Sequence, residues 1–247
     1  MSWLTTDRPL IIGHRGAAAD APENTLAAFA LALEQGADGV ELDVQLCADG
    51  VPVIMHDDTV DRTCDGTGRV GDLTLAELHL LTIAAEHPIP TLDDLFATFG
   101  RRTLYNVELK ALGRGGDGLA AAVARAIAAH GVAEQVIVSS FSPFTLRAAQ
   151  RHLPPGVPVA LLRERRATRP AHVLLRAAAD HPHHSLVDAT LMAWARRRGR
   201  RVNAWTVDDP AEARRLLGLG VHGIITNRPG QIKQETTLSS NKDCHAC

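Results

Sequence analysis

Charged residues occupy alternate positions in two segments that are typical of β-strands. Glu41 and Asp43 are separated by one apolar residue, and so are Glu108 and Lys110. Because alternate residues of a strand point to the same side, each pair shares one face of its strand. Charged groups that face the inside of a protein are costly unless they are paired or bind a metal. The spacing therefore favours either a metal site or a buried ion-pair network with Arg15 and Lys110.

The three carboxylates would repel one another strongly if no cation lay between them. A hard divalent cation such as Mg²⁺ or Ca²⁺ takes oxygen ligands and removes that repulsion. Zinc is disfavoured because no cysteine lies among these positions. The pattern thus predicts one divalent cation held by Glu41, Asp43 and Glu108.

Two histidines end other strand-like segments, and each could be either structural or catalytic. His14 precedes Arg15 and Gly16, and His56 ends a short extended run. Histidines act as general acid and general base near neutral pH, and an arginine fork suits phosphate oxygens. Gly16 allows close approach of the backbone. With a metal to neutralise phosphoryl oxygens, these groups predict phosphoryl transfer on an ester.

Two other enzyme classes are not indicated. The chain has neither the Gly-x-Ser-x-Gly turn of many serine hydrolases nor an apparent Ser-His-Asp arrangement. It also has no Gly-x-x-x-x-Gly-Lys-Ser/Thr loop, which is typical of nucleoside triphosphate use.

Strand-like and helix-like segments alternate along the chain, which predicts parallel strands with right-handed crossovers. The predicted strands are Pro9–His14, Val40–Leu46, Leu104–Lys110, Val136–Phe141, Val157–Leu162, Ser185–Asp188, Val202–Val207 and Gly223–Thr226. The predicted helices are Asn24–Gln35 and segments near 118–130, 143–152, 170–180, 190–199 and 209–219. Eight units favour an α/β fold of the closed (β/α)8 TIM-barrel type, with an open doubly wound sheet as the alternative. In a barrel, the polar residues at the strand ends would meet at one mouth.

Residues 47–103 depart from this alternation and predict a small insertion after the second strand. A turn at residues 48–50 indicates a hairpin with Val51–His56. Thr74 has the sequence context of a helix N-cap with Glu77 three positions on, and Thr91-Leu92-Asp93-Asp94 indicates the start of another short helix. We expect a single domain over residues 1–247, ending in a polar tail at about 230–247.

Composition excludes several classes of protein. The chain has 247 residues, of which 45% are hydrophobic and 22% charged, so it can bury a core. A net charge of −2 argues against general binding to nucleic acid or acidic membranes. No apolar run reaches the ~18 residues of a membrane span, and no signal peptide is visible. Reduced Cys47 and Cys64 predict a cytoplasmic protein, and we expect Cys244 and Cys247 to belong to an unstructured tail rather than a metal half-site.

In combination, these motifs resemble the glycerophosphodiester phosphodiesterase family over nearly the whole chain. The resemblance rests on Gly13-His14-Arg15-Gly16, Pro22-Glu23-Asn24-Thr25, Gly39-Val40-Glu41-Leu42-Asp43-Val44, Pro52-Val53-Ile54-Met55-His56-Asp57, Asp61-Arg62-Thr63, Asn106-Val107-Glu108-Leu109-Lys110, Ser139-Ser140-Phe141 and Val202-Asn203-Ala204-Trp205-Thr206. It implies a TIM barrel with a small insertion, which hydrolyses small-molecule glycerophosphodiesters to glycerol 3-phosphate and an alcohol with the help of a metal.

The resemblance also implies a role for each matching residue. His14 and His56 look like the general acid/base pair, and Glu41, Asp43 and Glu108 look like the metal ligands. Arg15 and Lys110 look like phosphate-contacting groups, and Trp205 looks like a wall of the substrate pocket, although it could be a core aromatic.

One position departs from the family pattern. Asn227 stands where members often carry aspartate, and we expect activity to survive because none of the proposed ligands or acid/base residues is affected. Two other functions remain as alternatives: a lysophospholipase D acting on lysolipids, and a phosphate-binding barrel without activity. We expect no stable membrane association, and the sequence does not determine an oligomeric state.

Overall fold

A closed barrel of eight parallel strands forms the centre of the protein. The computed structural model describes residues 2–110, 116–165 and 175–234. Its strands are β1 (Leu10–His14), β2 (Gly39–Leu46), β3 (Pro52–Ile54), β4 (Thr82–Ile83), β5 (His87–Pro88), β6 (Leu104–Leu109), β7 (Val136–Ser140), β8 (Val159–Arg163), β9 (Ala179–Pro182), β10 (Arg201–Ala204) and β11 (Gly223–Thr226). The barrel runs β1-β2-β6-β7-β8-β9-β10-β11 and closes between β11 and β1. The predicted TIM barrel is therefore confirmed, and the open sheet is excluded.

Helices follow the barrel strands or occupy the segment between β3 and β6. They are α1 (Leu26–Glu34), α2 (Leu75–Leu78), α3 (Leu92–Phe99), α4 (Gly116–His130), α5 (Pro143–His152), α6 (Ala189–Arg197) and α7 (Pro210–Leu219). Side-chain caps begin several of them: the Ser142 and Asp188 oxygens accept backbone N–H groups at the starts of α5 and α6. These caps satisfy amides that the first helical turn leaves without partners.

The lower part of the barrel interior is filled with apolar side chains. Leu10, Ile12, Leu104, Ile137 and Ala160 are buried there in one cluster. Such packing makes the interior of a TIM barrel a core rather than a pore. The polar residues at the upper strand ends consequently lie above a closed floor.

The sixth barrel strand differs from the sequence prediction. The strand is Ala179–Pro182, whereas the predicted strand Ser185–Asp188 begins inside a turn of 3₁₀-helix, His184–Leu186. The polar sequence of Ala179–Pro182 concealed the strand, because Asp180 is buried against Arg163 of β8 at 2.7 Å. The predicted helix near 170–180 is wrong at its end, where β9 begins, and its residues 170–174 lie outside the described residues.

The segment between β2 and β6 contains the predicted hairpin, the predicted cap at Thr74 and the short helix predicted from Thr91. β3 pairs antiparallel with β2, with Val44 opposite Ile54. Thr74 and Thr91 form capping boxes at the starts of α2 and α3. A separate cluster of buried apolar residues stabilises this segment: Cys47, Val53, Met55, Val60, Val70, Leu78, Ile83 and Ile89.

The start of the predicted polar tail is ordered into a helix. Residues 229–234 are helical, and Ile232 is fully buried against the barrel's outer core. Cys244 and Cys247 lie outside the described residues, whereas Cys47 and Cys64 are free thiols. Within the described ranges, no helix is long and apolar enough to cross a membrane.

Candidate active site

Three carboxylates meet at the C-terminal ends of neighbouring barrel strands. In the strand register, Asp43 of β2 is opposite Glu108 of β6, and Glu41 is opposite His14 of β1. Oxygens of Glu41, Asp43 and Glu108 lie within 4.8 Å of one another, and all three residues are buried. An all-oxygen set of this kind fits a hard divalent cation, so the cluster is compatible with such a metal.

Two cations border this carboxylate cluster. Arg15 Nε lies 3.2 Å from Asp43 Oδ2, and Lys110 Nζ lies 3.2 Å from Glu108 Oε1 and 3.7 Å from Asp43 Oδ1. The ion-pair network considered from the sequence therefore exists at the same place as the candidate metal site. Two cations do not balance three carboxylates, which leaves negative charge for a metal to neutralise.

The proton affinities of the carboxylates reflect this imbalance. Burial, together with the neighbouring Asp43, raises the pKa of Glu41 far above its usual range and that of Glu108 to about 7. Burial acts on Asp43 in the same direction, but Arg15 and Lys110 outweigh it and lower the pKa of Asp43. One buried carboxylate thus lies between cations while two others resist ionisation, as expected for like charges in a dry site.

The turn after β1 directs its backbone at the cluster. Arg15 and Gly16 adopt φ values of 53° and 88°, and the Arg15 N–H donates to Glu41 Oε2 at 3.1 Å. A Cβ on Gly16 would lie 2.5 Å from the carbonyl carbon of Ala28, so only glycine fits there. Strained backbone held at a charged cluster is typical of functional sites.

His14 is connected to the last barrel strand through an amide. Its Nδ1 lies 2.7 Å from Asn227 Oδ1, and Asn227 Nδ2 donates to Asp208 Oδ2 at 2.6 Å. Burial, and next the charge of Arg15, lower the pKa of His14. This contact corrects the expectation that Asn227 leaves the proposed acid/base residues unaffected.

His56 has a carboxylate partner instead. Its Nδ1 lies 2.6 Å from Asp57 Oδ1, and Arg62 Nε donates to Asp57 Oδ2 at 2.5 Å. Arg62 also pairs with Glu23 at 2.6 Å, and Glu23 pairs with Arg15 at 3.1 Å. A chain of charges therefore joins the His56 side of the site to the Arg15 side.

A cavity of about 300 Å³ lies between the two histidines. Its walls include Phe141 and Trp205, whose rings meet edge to face at 5.4 Å. The Trp205 indole donates to the His181 carbonyl at 2.7 Å, which fixes the ring while leaving it partly exposed. Trp205 is therefore a cavity wall as well as a neighbour of the core.

The structure brings the predicted site residues together. Seven of them line the cavity, namely His14, Arg15, Glu41, His56, Glu108, Lys110 and Trp205, and Asp43 lies behind them in the carboxylate cluster. Four further residues contact the site although the sequence pattern predicts no role for them: Asp57, Arg62, Asn106 and Phe141. Asp57 could have been predicted from the sequence, because it directly follows His56 and a carboxylate beside a histidine can orient the ring.

Comparisons with known proteins identify relatives over nearly the whole chain. The family model described as "Glycerophosphoryl diester phosphodiesterase family" matches residues 14–231. A glycerophosphodiester phosphodiesterase of Caldanaerobacter subterraneus subsp. tengcongensis is 38% identical, covering 90% of this chain and 95% of that protein. One from Bacillus subtilis is 30% identical, covering 92% and 86%.

A solved structure has the same fold throughout. The Oleispira antarctica phosphodiesterase, solved in complex with the product sn-glycerol-3-phosphate, superposes with a TM-score of 0.86 at 31% identity. The match covers 93% of this chain and 97% of that one. Fold, site and sequence matches together show that this chain belongs to the glycerophosphoryl diester phosphodiesterase family.

Proposed function

We propose that the protein hydrolyses glycerophosphodiesters to glycerol 3-phosphate and an alcohol, using one divalent cation, Mg²⁺ or Ca²⁺. The observation that carries this proposal is the buried cluster of Glu41, Asp43 and Glu108 in the cavity that contains both histidines. Family membership gives the reaction class. The charges and hydrogen bonds in the cavity then indicate the role of each residue.

Glu41, Asp43 and Glu108 would hold the cation. When bound, it neutralises negative charge on the phosphoryl oxygens. Arg15 and Lys110 lie beside the same carboxylates, and both line the cavity, so a phosphate bound at the cation would meet both side chains. The Arg15 guanidinium, whose Nε and Nη1 face Asp43 and Glu23, can offer its remaining N–H groups to phosphate, and the Lys110 ammonium offers a point charge.

The hydrogen bonds of the two histidines give them different parts. Asn227 donates through Nδ2 to Asp208, so its Oδ1 accepts from His14 Nδ1–H and leaves His14 Nε2 free to take a proton. His14 is the general base for the attacking oxygen, whether that of water or of a neighbouring glycerol hydroxyl. His56 donates its Nδ1–H to the Asp57 carboxylate, which orients the ring, and it is the general acid for the leaving alcohol.

Release of glycerol 3-phosphate from glycerophosphocholine and glycerophosphoethanolamine tests the proposal. The assay is run with Mg²⁺, with Ca²⁺ and with a chelator, and metal-dependent release is the expected result. Lysophosphatidylcholine is a third substrate arm. Turnover of the lysolipid alone would replace the proposed reaction with a lysophospholipase D reaction, and binding of glycerophosphocholine without any release would indicate a non-catalytic barrel.

The small substrate and the net charge of the chain also indicate where the protein acts and which partners it has. We expect the reaction to occur in the cytoplasm, without nucleic acid as a partner. Fractionation of cells that express the chain, with glycerol 3-phosphate release as the readout, tests this expectation. Activity confined to the membrane fraction would contradict it.

A further inference from the structure

Asn106 lies at the bottom of the substrate cavity. It is in the middle of β6, two residues before Glu108, and therefore shares the inward face with that carboxylate. Across the register it is opposite Glu41 of β2. Its side chain lines the cavity although the residue is fully buried. The amide is thus placed directly below the carboxylate cluster.

Both ends of this amide lack a protein partner. Neither Asn106 Nδ2 nor Oδ1 forms a hydrogen bond with any group of the described residues. An asparagine side chain offers two donor hydrogens and two acceptor lone pairs, and burying them unpaired is costly. Two other buried asparagines have partners: Asn24 Nδ2 donates to Asp43, and Asn203 Nδ2 lies 2.9 Å from His181 Nε2. Of these three amides, that of Asn106 is therefore the one left unpaired at both ends, and it faces the cavity.

The chemistry of the amide selects the ligand group. Asn106 is neutral, and the cations that suit a phosphate, Arg15 and Lys110, are bound to the carboxylates above it. A hydroxyl both donates and accepts, so one hydroxyl can use both ends of an amide. Leu104 and Ile137 close the barrel as buried apolar residues of its lower core, so the ligand group must be short.

We infer that Asn106 binds a hydroxyl of the glycerol moiety, so that the glycerol end of the substrate points into the barrel and the alcohol end points to the mouth. This inference rests on the proposed function and adds the orientation of its substrate. Phe141, which is 41% exposed, and Trp205 then lie beside the alcohol group. An acyl chain on the glycerol would have to enter the closed floor, so lysolipids are excluded.

Binding of two three-carbon phosphates tests the inference without turnover. Sn-glycerol 3-phosphate carries two hydroxyls, and propyl phosphate carries none. Calorimetry with the metal-loaded protein should give wild-type protein a clear preference for glycerol 3-phosphate. Asn106→Ala should reduce that preference by about 5-fold to 100-fold, because a substrate hydroxyl then loses its partner. Its affinity for propyl phosphate should change little.

Asn203→Ala is the matched control, because it removes a buried amide of the same barrel that does not line the cavity. Its preference should equal that of the wild type. If Asn106→Ala does not fold, Asn106→Leu keeps the volume and removes the same hydrogen bonds. An equal loss of affinity for both phosphates, or no preference in the wild type, would overturn the inference.

The proposed function is judged separately by release of glycerol 3-phosphate from glycerophosphocholine. If the wild type binds glycerol 3-phosphate through Asn106 but does not hydrolyse glycerophosphocholine, the proposed hydrolase activity is wrong. The proposed orientation is then unaffected. If the wild type is active but Asn106→Ala keeps the same preference for glycerol 3-phosphate over propyl phosphate, the proposed orientation is wrong. The proposed hydrolase activity is then unaffected.

Discussion

Nδ1 of His14 lies 2.7 Å from Oδ1 of Asn227, at the seam where the first and last barrel strands pair. Asp208 fixes the amide by accepting its Nδ2–H and its backbone N–H, at 2.6 and 2.7 Å. The ring of His14 is therefore held in one tautomer by a neutral group.

Asn227→Leu should lower kcat about 10-fold to 100-fold, because the ring loses the bond that orients it. KM should change little, since Asn227 is not among the groups placed around the phosphate. Steady-state kinetics on glycerophosphocholine measure both quantities. Asn227→Asp keeps an acceptor oxygen for Nδ1–H but places a second carboxylate oxygen against Asp208 Oδ2, where Nδ2 now donates at 2.6 Å, so it should retain only part of the activity. A rise in KM with unchanged kcat would assign Asn227 to substrate binding instead.

Metal binding should stabilise the protein measurably. With cation at about 100 times its Kd, binding adds ~2.7 kcal/mol, which for a chain of this length raises Tm by about 5–10 °C. Glu41→Gln should abolish that rise and should leave the metal-free protein at least as stable, because it removes one of three repelling carboxylates. Differential scanning calorimetry with and without chelator measures both effects. The exposed Glu86→Gln is the control and should respond to metal like the wild type.

The site was more predictable from sequence than the sixth barrel strand. The clustering of Glu41, Asp43 and Glu108 follows from the sequence because alternation along a strand is a local property of the chain. Ala179–Pro182 was missed because its polar residues are satisfied by partners distant in sequence, as Asp180 is by Arg163. A hydrophobic pattern cannot report such pairing.

The same limit applies to the groups around the histidines. The bond from His14 to Asn227 joins residues 213 positions apart, and only closure of the barrel brings them together. The unpaired amide of Asn106 is likewise visible only once its neighbours are known.

The ion pair of Asp57 and Arg62 should contribute stability that is lost at acidic pH. The hydrogen bond from Arg62 lowers the pKa of Asp57 to about 2, compared with ~4 in an unfolded chain. A carboxylate with a depressed pKa contributes stability above the unfolded pKa and loses it as pH falls through the folded one. Arg62 also lowers the pKa of Glu23, although burial opposes this, and that residue adds to the effect in the same direction.

Arg62→Gln should therefore lose less stability than the wild type between pH 5 and pH 2. Urea unfolding at several pH values in this window gives the free energy of unfolding for both proteins. Other carboxylates titrate alike in the two and cancel in the difference. Parallel curves for wild type and variant would show that the ion pair is too screened by solvent to matter.

The different catalytic roles of the two histidines can be distinguished by changing the leaving group of the substrate. His14→Ala and His56→Ala should each lower kcat on glycerophosphocholine by about 10²-fold to 10⁴-fold while leaving Tm nearly unchanged. Glycerol p-nitrophenyl phosphate releases a phenolate that departs without a proton, so it does not need the general acid. His56→Ala should therefore recover most of its activity on this substrate, whereas His14→Ala should not, because the attacking oxygen still needs a base. Recovery in His14→Ala alone would reverse the two assignments, and recovery in neither would mean that both histidines act before the alcohol departs.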